Sequence, residues 1–319
     1  MLPARVIHAD WSANPRKRWM AEAVLGADGR YTAQAPKLIR DAGLFMLTAV
    51  TAAAGGVLIG FDFPIGLPLN YARKAGIDQF LTALPQFGED LWADFYHVAA
   101  HADEISLYRP FYPAKAGGTQ RAHLTTALGL ADLRRQCDHK TADRPAAAEL
   151  FWTMGAQQVG KAAISGWQEI LAPALKMNEY VKLAIWPFAG SLEALLKPGW
   201  IVACEAYPAE FYGHLGVRFP RKAGKGQKSG KRVQADRIAN APMLLEFAQS
   251  RDIQLDAALV ETLGDGFGSD AFGEDRFDAL VSLFGMLNIV LGYLPAGDPQ
   301  VPEIAQIEGW ILGMANENF

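Results

Sequence analysis

The sequence predicts an α/β fold with a mixed sheet flanked by helices and a helical insertion. Two short apolar runs, "ARVIHAD" and "VLIGFDF", are typical of buried strands. A hairpin pattern lies between them, and a long central region repeats alanine, leucine and aromatic residues at helical spacing. We therefore divide the chain into a first α/β part (1–70), a mainly helical insertion (71–196) and a second α/β part (197–319).

The first part predicts a strand, a hairpin, a helix and a second strand. "ARVIHAD" ends at Asp10, and the Asp28-Gly29 pair in "GADGR" favours the tight turn of a hairpin. Asp41 is the expected N-cap of a helix that runs to about residue 54, where Gly55-Gly56 ends it. "VLIGFDF" is the next strand, and the prolines of "PIGLP" stop it.

The second part resumes the α/β pattern after the insertion. "WIVACEAYP" predicts a strand, and a basic loop, "RFPRKAGKGQKSGKR", precedes a predicted helix over 233–250. "GEDRFDALVSLF", residues 273–284, predicts the start of a buried helix with carboxylates in its first turns.

Composition limits the functional classes. The 319 residues are 50% hydrophobic and 20% charged, as in an ordinary globular protein, and the net charge of −4 gives no overall attraction for nucleic acid. Any anion-binding surface must therefore be local. Two cysteines cannot form a disulfide framework, and no apolar signal-peptide segment opens the chain. We expect a cytoplasmic protein without membrane association, since the most apolar stretch (280–294) is too short to span a bilayer.

Acidic residues stand where strands end. Asp10 and Asp62 each close a predicted strand, Glu205 lies near the end of a third, and Asp275 and Asp278 share one side of the last helix. If the strands are parallel neighbours, these acids meet at the sheet edge where α/β proteins bind ligands. Two carboxylates ~4 Å apart repel by about 4 kcal/mol at an effective dielectric near 20. Such a cluster requires a cation, a shared proton or a bound lysine, and Mg²⁺ or Mn²⁺ is the simplest of these.

Five segments carry a family resemblance. In order they are "HADWSANP", "IGFDFPIGLP", "CEAYPAEFYGHLG", "KSGKRVQADRI" and "DRFDALV". Together they resemble a domain-of-unknown-function family of predicted nucleases with a ribonuclease H-like fold. The late segments are also similar to Holliday-junction resolvases, which share a strand with Glu, a Tyr-Pro turn and Asp-x-x-Asp-Ala-Leu at the last helix. The resemblance spans nearly the whole chain, although the insertion matches only loosely, around "RRQCD".

The resemblance implies a ribonuclease H-like mixed sheet and assigns roles to the acids. Asp10 becomes the metal ligand of the first strand, Asp62 the acid of the central strand, and Asp278 with Asp275 the ligands from the helix. Glu205 matches an acid of the motif.

The basic loop has two interpretations. "GKGQKSGKR" is not a phosphate-binding P-loop, because Lys225 stands where the first glycine is required and Arg232 replaces Ser/Thr. It is either a solvated linker or a clamp in which Lys228, Lys231 and Arg232 bind the phosphate oxygens of a nucleic acid.

These features predict a metal-dependent nuclease, a hydrolase of phosphodiester bonds in nucleic acid or another phosphate ester. Its catalytic acids would be Asp10, Asp62, Glu205 and Asp278, and its Mg²⁺ or Mn²⁺ ligands would be Asp10, Asp62, Asp275 and Asp278. One alternative is a phosphotransferase of the actin-like or sugar-kinase kind that binds Mg-nucleotide. That function favours glycine-rich turns after the strands, which "DWSANP" and "DFPIGLP" supply poorly. A binding module without catalytic activity is the third possibility.

Overall fold

A single mixed sheet forms the centre of the protein. The computed structural model describes residues 1–141, 144–155, 159–177, 182–220 and 230–315. Its strands are β1 (Arg5–Asp10), β2 (Trp19–Leu25), β3 (Tyr31–Ala33), β4 (Lys37–Leu38), β5 (Val57–Phe61), β6 (Leu183–Ile185), β7 (Ile201–Glu205) and β8 (Gln254–Leu255). The sheet order is β6-β7-β5-β1-β2-β3-β8, and β4 pairs with β2.

Helices cover both faces of the sheet. They are α1 (Ala42–Ala52), α2 (Leu69–Ala75), α3 (Phe80–Ala83), α4 (Arg121–Leu128), α5 (Val159–Gly166), α6 (Ala172–Lys176), α7 (Leu192–Leu195), α8 (Pro208–Phe211), α9 (Gln234–Ser250), α10 (Ala257–Gly264) and α11 (Gly273–Val290). Short 3-10 turns include Pro15–Lys17, Gln136–Asp138 and Gly230–Arg232. Among the described residues, no helix combines the length and the apolar character that crossing a membrane requires.

The opening of the chain folds as its pattern predicts. β1 pairs antiparallel with β2, β2 pairs antiparallel with β3, and the connection through α1 returns the chain to β5, parallel to β1. Asp41 caps α1, since its carboxylate accepts a hydrogen bond from the backbone N–H of Leu44 at 2.6 Å. The predicted strand, hairpin, helix and strand are confirmed, as is the mixed α/β sheet.

Alternation along the strands gives the sheet two apolar faces. Ile7 and Ile59 lie in one hydrophobic core together with residues of α1 and of the 71–196 region. Val6 and Leu58 lie in a second core that contains most of α11. Gly60 permits close contact between β5 and α11, because a Cβ at this position would lie 2.5 Å from the sulfur of Met286.

The described residues of the 71–196 region form mainly short helices joined by loops, with an aromatic core. The rings of Phe87 and Phe95 stack with their centroids 3.8 Å apart, and Trp167 is fully buried beside them. This region also contains β6, which pairs with β7 and forms one end of the sheet. The predicted insertion therefore contributes a strand to the sheet, and its treatment as a separate unit stays a prediction.

Candidate functional site

Asp10 and Asp62 meet at the carboxyl ends of neighbouring parallel strands. Ala9 of β1 is paired with Phe61 of β5, so the residues that follow them adjoin at the edge. The Asp10 carboxyl is hydrogen-bonded to that of Asp62, which also accepts a 2.6 Å hydrogen bond from the backbone N–H of Trp11. Asp10 is 9% exposed, and Asp62 opens onto a cleft.

Helix α11 brings two further carboxylates to this edge. Asp278 is buried, and its two oxygens accept hydrogen bonds from the Tyr212 hydroxyl and from Nζ of Lys231. Asp275 lies one turn earlier, and its buried Oδ2 has no hydrogen-bond partner in the described part of the chain. We call these four acids, Asp10, Asp62, Asp275 and Asp278, the Asp10 cluster.

Burial and mutual repulsion hold protons on the cluster. Burial, followed by the charges of Asp62, Asp278 and Asp275, raises the pKa of Asp10 well above its usual value. Burial also raises the pKa of Asp62 to about 7 and that of Asp275 to about 6. Desolvation acts to lower the pKa of Lys231, but the charge of Asp278 outweighs it and keeps the ammonium protonated. One proton and one lysine therefore provide part of the positive charge that the cluster requires.

The donors of the Asp10 cluster fit a hard divalent cation in their chemistry. All are carboxylate oxygens, which Mg²⁺ and Mn²⁺ prefer, and the unpartnered Oδ2 of Asp275 supplies a free acceptor. In the geometry observed, the described residues contain no group of three or more His, Cys, Asp or Glu side chains arranged to hold a metal. Lys231 contacts Asp278 instead, so a metal bound to the same oxygen would lie beside its ammonium and repel it.

The structure places Glu205 apart from the Asp10 cluster. Glu205 is paired with Phe61, whose ring lies in the core opposite α11. Its carboxylate therefore points away from Asp278 and binds Arg135, with oxygen-to-nitrogen distances of 2.6 and 2.8 Å. The backbone N–H of Ile65 donates a third hydrogen bond at 2.8 Å.

Arg135 joins Glu205 to a second buried acid. Its Nε and one terminal nitrogen each lie 3.0 Å from a different oxygen of Asp138, and the guanidinium is fully buried. We call Arg135, Asp138 and Glu205 the Arg135 cluster. Arg135 was not assigned a role from the sequence, although "RRQCD" places it three residues before Asp138, a spacing that could have indicated their pairing.

One cleft of about 610 Å³ lies against both clusters. Its acidic lining includes Asp62, Asp138 and Glu205, and its cationic lining consists of Lys17, Lys161, Lys231 and Arg232. Lys17, on the turn after β1, is close enough to Asp275 for its charge to lower the pKa of that carboxyl. Lys17 and Lys161 come from distant parts of the sequence, so no local pattern indicated that they share a cleft.

Two of the three predicted basic-loop residues lie at this cleft. Lys231 contacts Asp278, while Nε of Arg232 lies 3.3 Å from a carboxylate oxygen of Glu274, and 62% of the Arg232 side chain is exposed. Lys228 lies outside the described residues. Tyr212, which fixes the orientation of Asp278, was not assigned a role from the sequence, although it lies within the motif "CEAYPAEFYGHLG".

No protein-family model, no curated protein and no solved structure matches this chain.

Proposed function

We propose that this protein is a metal-dependent phosphodiesterase of ribonuclease H-like fold, with nucleic acid as its substrate class. One observation carries the proposal. Asp10, Asp62 and Asp278 come from three separate elements and converge beside a cleft, with more carboxyl groups than the single ammonium of Lys231 can pair. Burial raises the pKa values of Asp10 and Asp62, and carboxyl groups perturbed in this way beside a cleft are candidates for a functional site.

The sheet supports the fold proposal. Strands β3, β2 and β1 are antiparallel in order, and β5 and β7 continue from β1 in parallel. This is the arrangement expected of a ribonuclease H-like sheet, in which acids close the first and the central strand. The last long helix, α11, packs on the face of the sheet that carries Val6 and Leu58, and it contributes Asp278.

Asp10, Asp62 and Asp278 would hold Mg²⁺ or Mn²⁺, with Asp275 adjacent. Such an ion, when bound, supplies an acidified water and stabilises negative charge on a phosphate. The rest of the site prepares the ligands: the Trp11 N–H orients Asp62, and the Tyr212 hydroxyl orients Asp278.

Cationic side chains at the cleft would position the substrate. Lys17 and Lys161 make no ion pair with a described residue, so both ammonium groups are available to phosphate oxygens. Arg232 is exposed and adds a planar donor group suited to phosphate. These local charges provide the anion-binding surface that the net charge of −4 does not.

Phosphoryl transfer from a nucleotide is the competing function. It calls for a glycine-rich turn at the phosphates. β1 is followed instead by Trp11, and β5 by Asp62, Phe63 and a buried Pro64. Hydrolysis of a phosphodiester is therefore the better-supported reaction.

The test is a cleavage assay with single-stranded, duplex and branched DNA and RNA, in Mg²⁺, in Mn²⁺ and in EDTA. We expect metal-dependent cleavage of at least one substrate. Asp10→Asn should lower the rate by more than the roughly 10–100-fold that loss of an outer-shell partner costs. Asp78→Asn is the matched control, since Asp78 is exposed and lines a different pocket from this cleft. Cleavage that persists in EDTA, or no cleavage together with micromolar ATP binding by calorimetry, would overturn the proposal.

A further inference from the structure

We infer that Lys231 is an internal counter-ion of the Asp10 cluster and competes with a divalent cation for the same carboxylates. The identity of the competing ion rests on the proposed function. The role of Lys231 as counter-ion rests on the contacts of this chain alone.

The ammonium of Lys231 occupies a carboxylate oxygen of the Asp10 cluster. Nζ of Lys231 contacts Oδ2 of Asp278, a carboxylate whose side chain is only 5% exposed, while Tyr212 occupies the other oxygen. Both oxygens of Asp278 thus have donors. A metal ligated by Oδ2 would lie close to the ammonium and would repel it.

The backbone of Lys231 is held by several hydrogen bonds, whereas its side chain is partly exposed and, among the described residues, is bound at its end alone, to Asp278. Arg237 donates to the carbonyl oxygen of Lys231 at 2.5 Å, and its other nitrogens donate to the carbonyls of Gly266 at 2.7 Å and Gly268 at 2.6 Å. The N–H of Gly230 donates to Asp236 at 2.7 Å. Displacement by a metal would therefore move the flexible side chain, which is 40% exposed, and leave the turn in place.

The cleft provides a place for the Lys231 ammonium once a metal has displaced it from Asp278. Lys231 lines the cleft together with Lys17 and Arg232, where a phosphate ester would lie. Rotation about its stem would carry the ammonium from Asp278 into this space. The same side chain would then neutralise the acids in the absence of metal and bind a phosphate oxygen in its presence.

The experiment compares Lys231→Met with Lys161→Met, a change of the same kind in the same cleft but at a lysine that makes no ion pair with any described residue. Mn²⁺ affinity is measured without substrate, by electron paramagnetic resonance of the free ion. Lys231→Met should bind Mn²⁺ at least about fivefold more tightly than the parent, the lower end of usual coupling between two sites. Lys161→Met should match the parent.

Stability of the metal-free protein provides the second readout. Lys231→Met should lower the melting temperature in EDTA, and Asp278→Asn in the same chain should abolish that loss, because the two groups act on each other. Should Lys231→Met fail to fold, Lys231→Gln, which keeps a polar end, serves for both readouts.

The two proposals fail in different ways. Unchanged or weaker Mn²⁺ affinity in Lys231→Met, with the parent binding and Asp10→Asn not binding, overturns the competition and leaves the phosphodiesterase proposal intact. Absence of Mn²⁺ and Mg²⁺ binding in the parent and in every variant overturns the metal-dependent function and the competition together.

Discussion

The Arg135 cluster and the Asp10 cluster line one cleft but stabilise their carboxylates in different ways. In the Arg135 cluster, a single guanidinium donates to both oxygens of Asp138 and to both oxygens of Glu205. In the Asp10 cluster, a single ammonium reaches Asp278, a proton links Asp10 to Asp62, and one oxygen of Asp275 has no partner within the described chain.

This difference indicates a structural role for the acids of the Arg135 cluster and a functional role for those of the Asp10 cluster. Arginine presents a rigid planar fork that satisfies paired carboxylates, and such a network fixes the positions of the elements it joins. Lysine is a point charge on a flexible stem and leaves several acceptor positions open. An acid cluster short of donors is destabilising by itself, so its persistence beside a cleft favours a role in binding or catalysis. Three predictions test this contrast.

The largest effect is expected at Arg135. Arg135→Met should lower the free energy of unfolding by about 3–5 kcal/mol, because two buried carboxylates lose their shared donor. Urea unfolding measures this change. Arg232→Gln is the control, since this arginine is exposed and its pair with Glu274 should contribute at most about 1 kcal/mol. Equal effects in the two variants would break the distinction between the clusters.

An intermediate effect on the free energy of unfolding is expected when the pH is changed and Asp62 titrates. Its pKa rises on folding from the ordinary 3.8 to about 7. The folded protein thus retains a proton that the unfolded chain releases, and the stability of the metal-free protein falls as the pH rises from about 4 to 7. Between pH 5 and pH 8 the parent should lose on the order of 1–2 kcal/mol relative to Asp62→Asn, a range discounted for solvent that reaches the side chain.

The comparison with Asp62→Asn removes the pH-dependent contributions of distant groups, which the two proteins share. Burial lowers the pKa of His8 to about 4, so His8 contributes stability that is lost as the pH falls from 6.5 to 4. That contribution is common to both proteins and cancels in their difference. Parallel pH curves for the parent and Asp62→Asn, measured by urea unfolding in EDTA, would contradict the raised pKa.

The smallest effect is expected when Asp10→Asn is compared with Glu205→Gln, whose changes in the free energy of unfolding should have opposite signs. Asp10→Asn should raise the stability of the metal-free protein by no more than about 1 kcal/mol, because the proton on Asp10 already removes much of the repulsion. Glu205→Gln should instead lower stability, because Arg135 loses a charged partner.

The change in melting temperature on adding Mn²⁺ should also distinguish these two variants. Asp10→Asn should abolish the increase in melting temperature on adding Mn²⁺, whereas Glu205→Gln should retain it. Loss of the Mn²⁺ response in Glu205→Gln would return Glu205 to the predicted catalytic set and remove the contrast between the clusters.

Local sequence patterns were sufficient to predict many of the strands and helices. Buried apolar runs, the Asp28-Gly29 turn and the Asp41 cap are signals within a few residues, and the corresponding strands, hairpin and helix are all present. The meeting of Asp10 and Asp62 also followed from sequence, because a crossover through α1 makes their strands parallel neighbours.

The face of the sheet on which Glu205 lies could not be predicted without the register of the strands. Side chains on a strand alternate between faces, so an offset of one residue between β5 and β7 decides whether Glu205 joins Asp10 or faces away. The observed pairing of Phe61 with Glu205 turns it away.

By itself, the sequence determined the order of the elements and the placement of acids at the ends of β1 and β5, since both follow from local periodicity and chain direction. Only the tertiary structure decided the partners of those acids. Arg135 reaches Glu205 from a separate part of the chain, and Lys231 reaches Asp278 from the turn before α9. Contacts of this kind depend on how distant elements pack against the sheet, and no spacing along the chain encodes that packing.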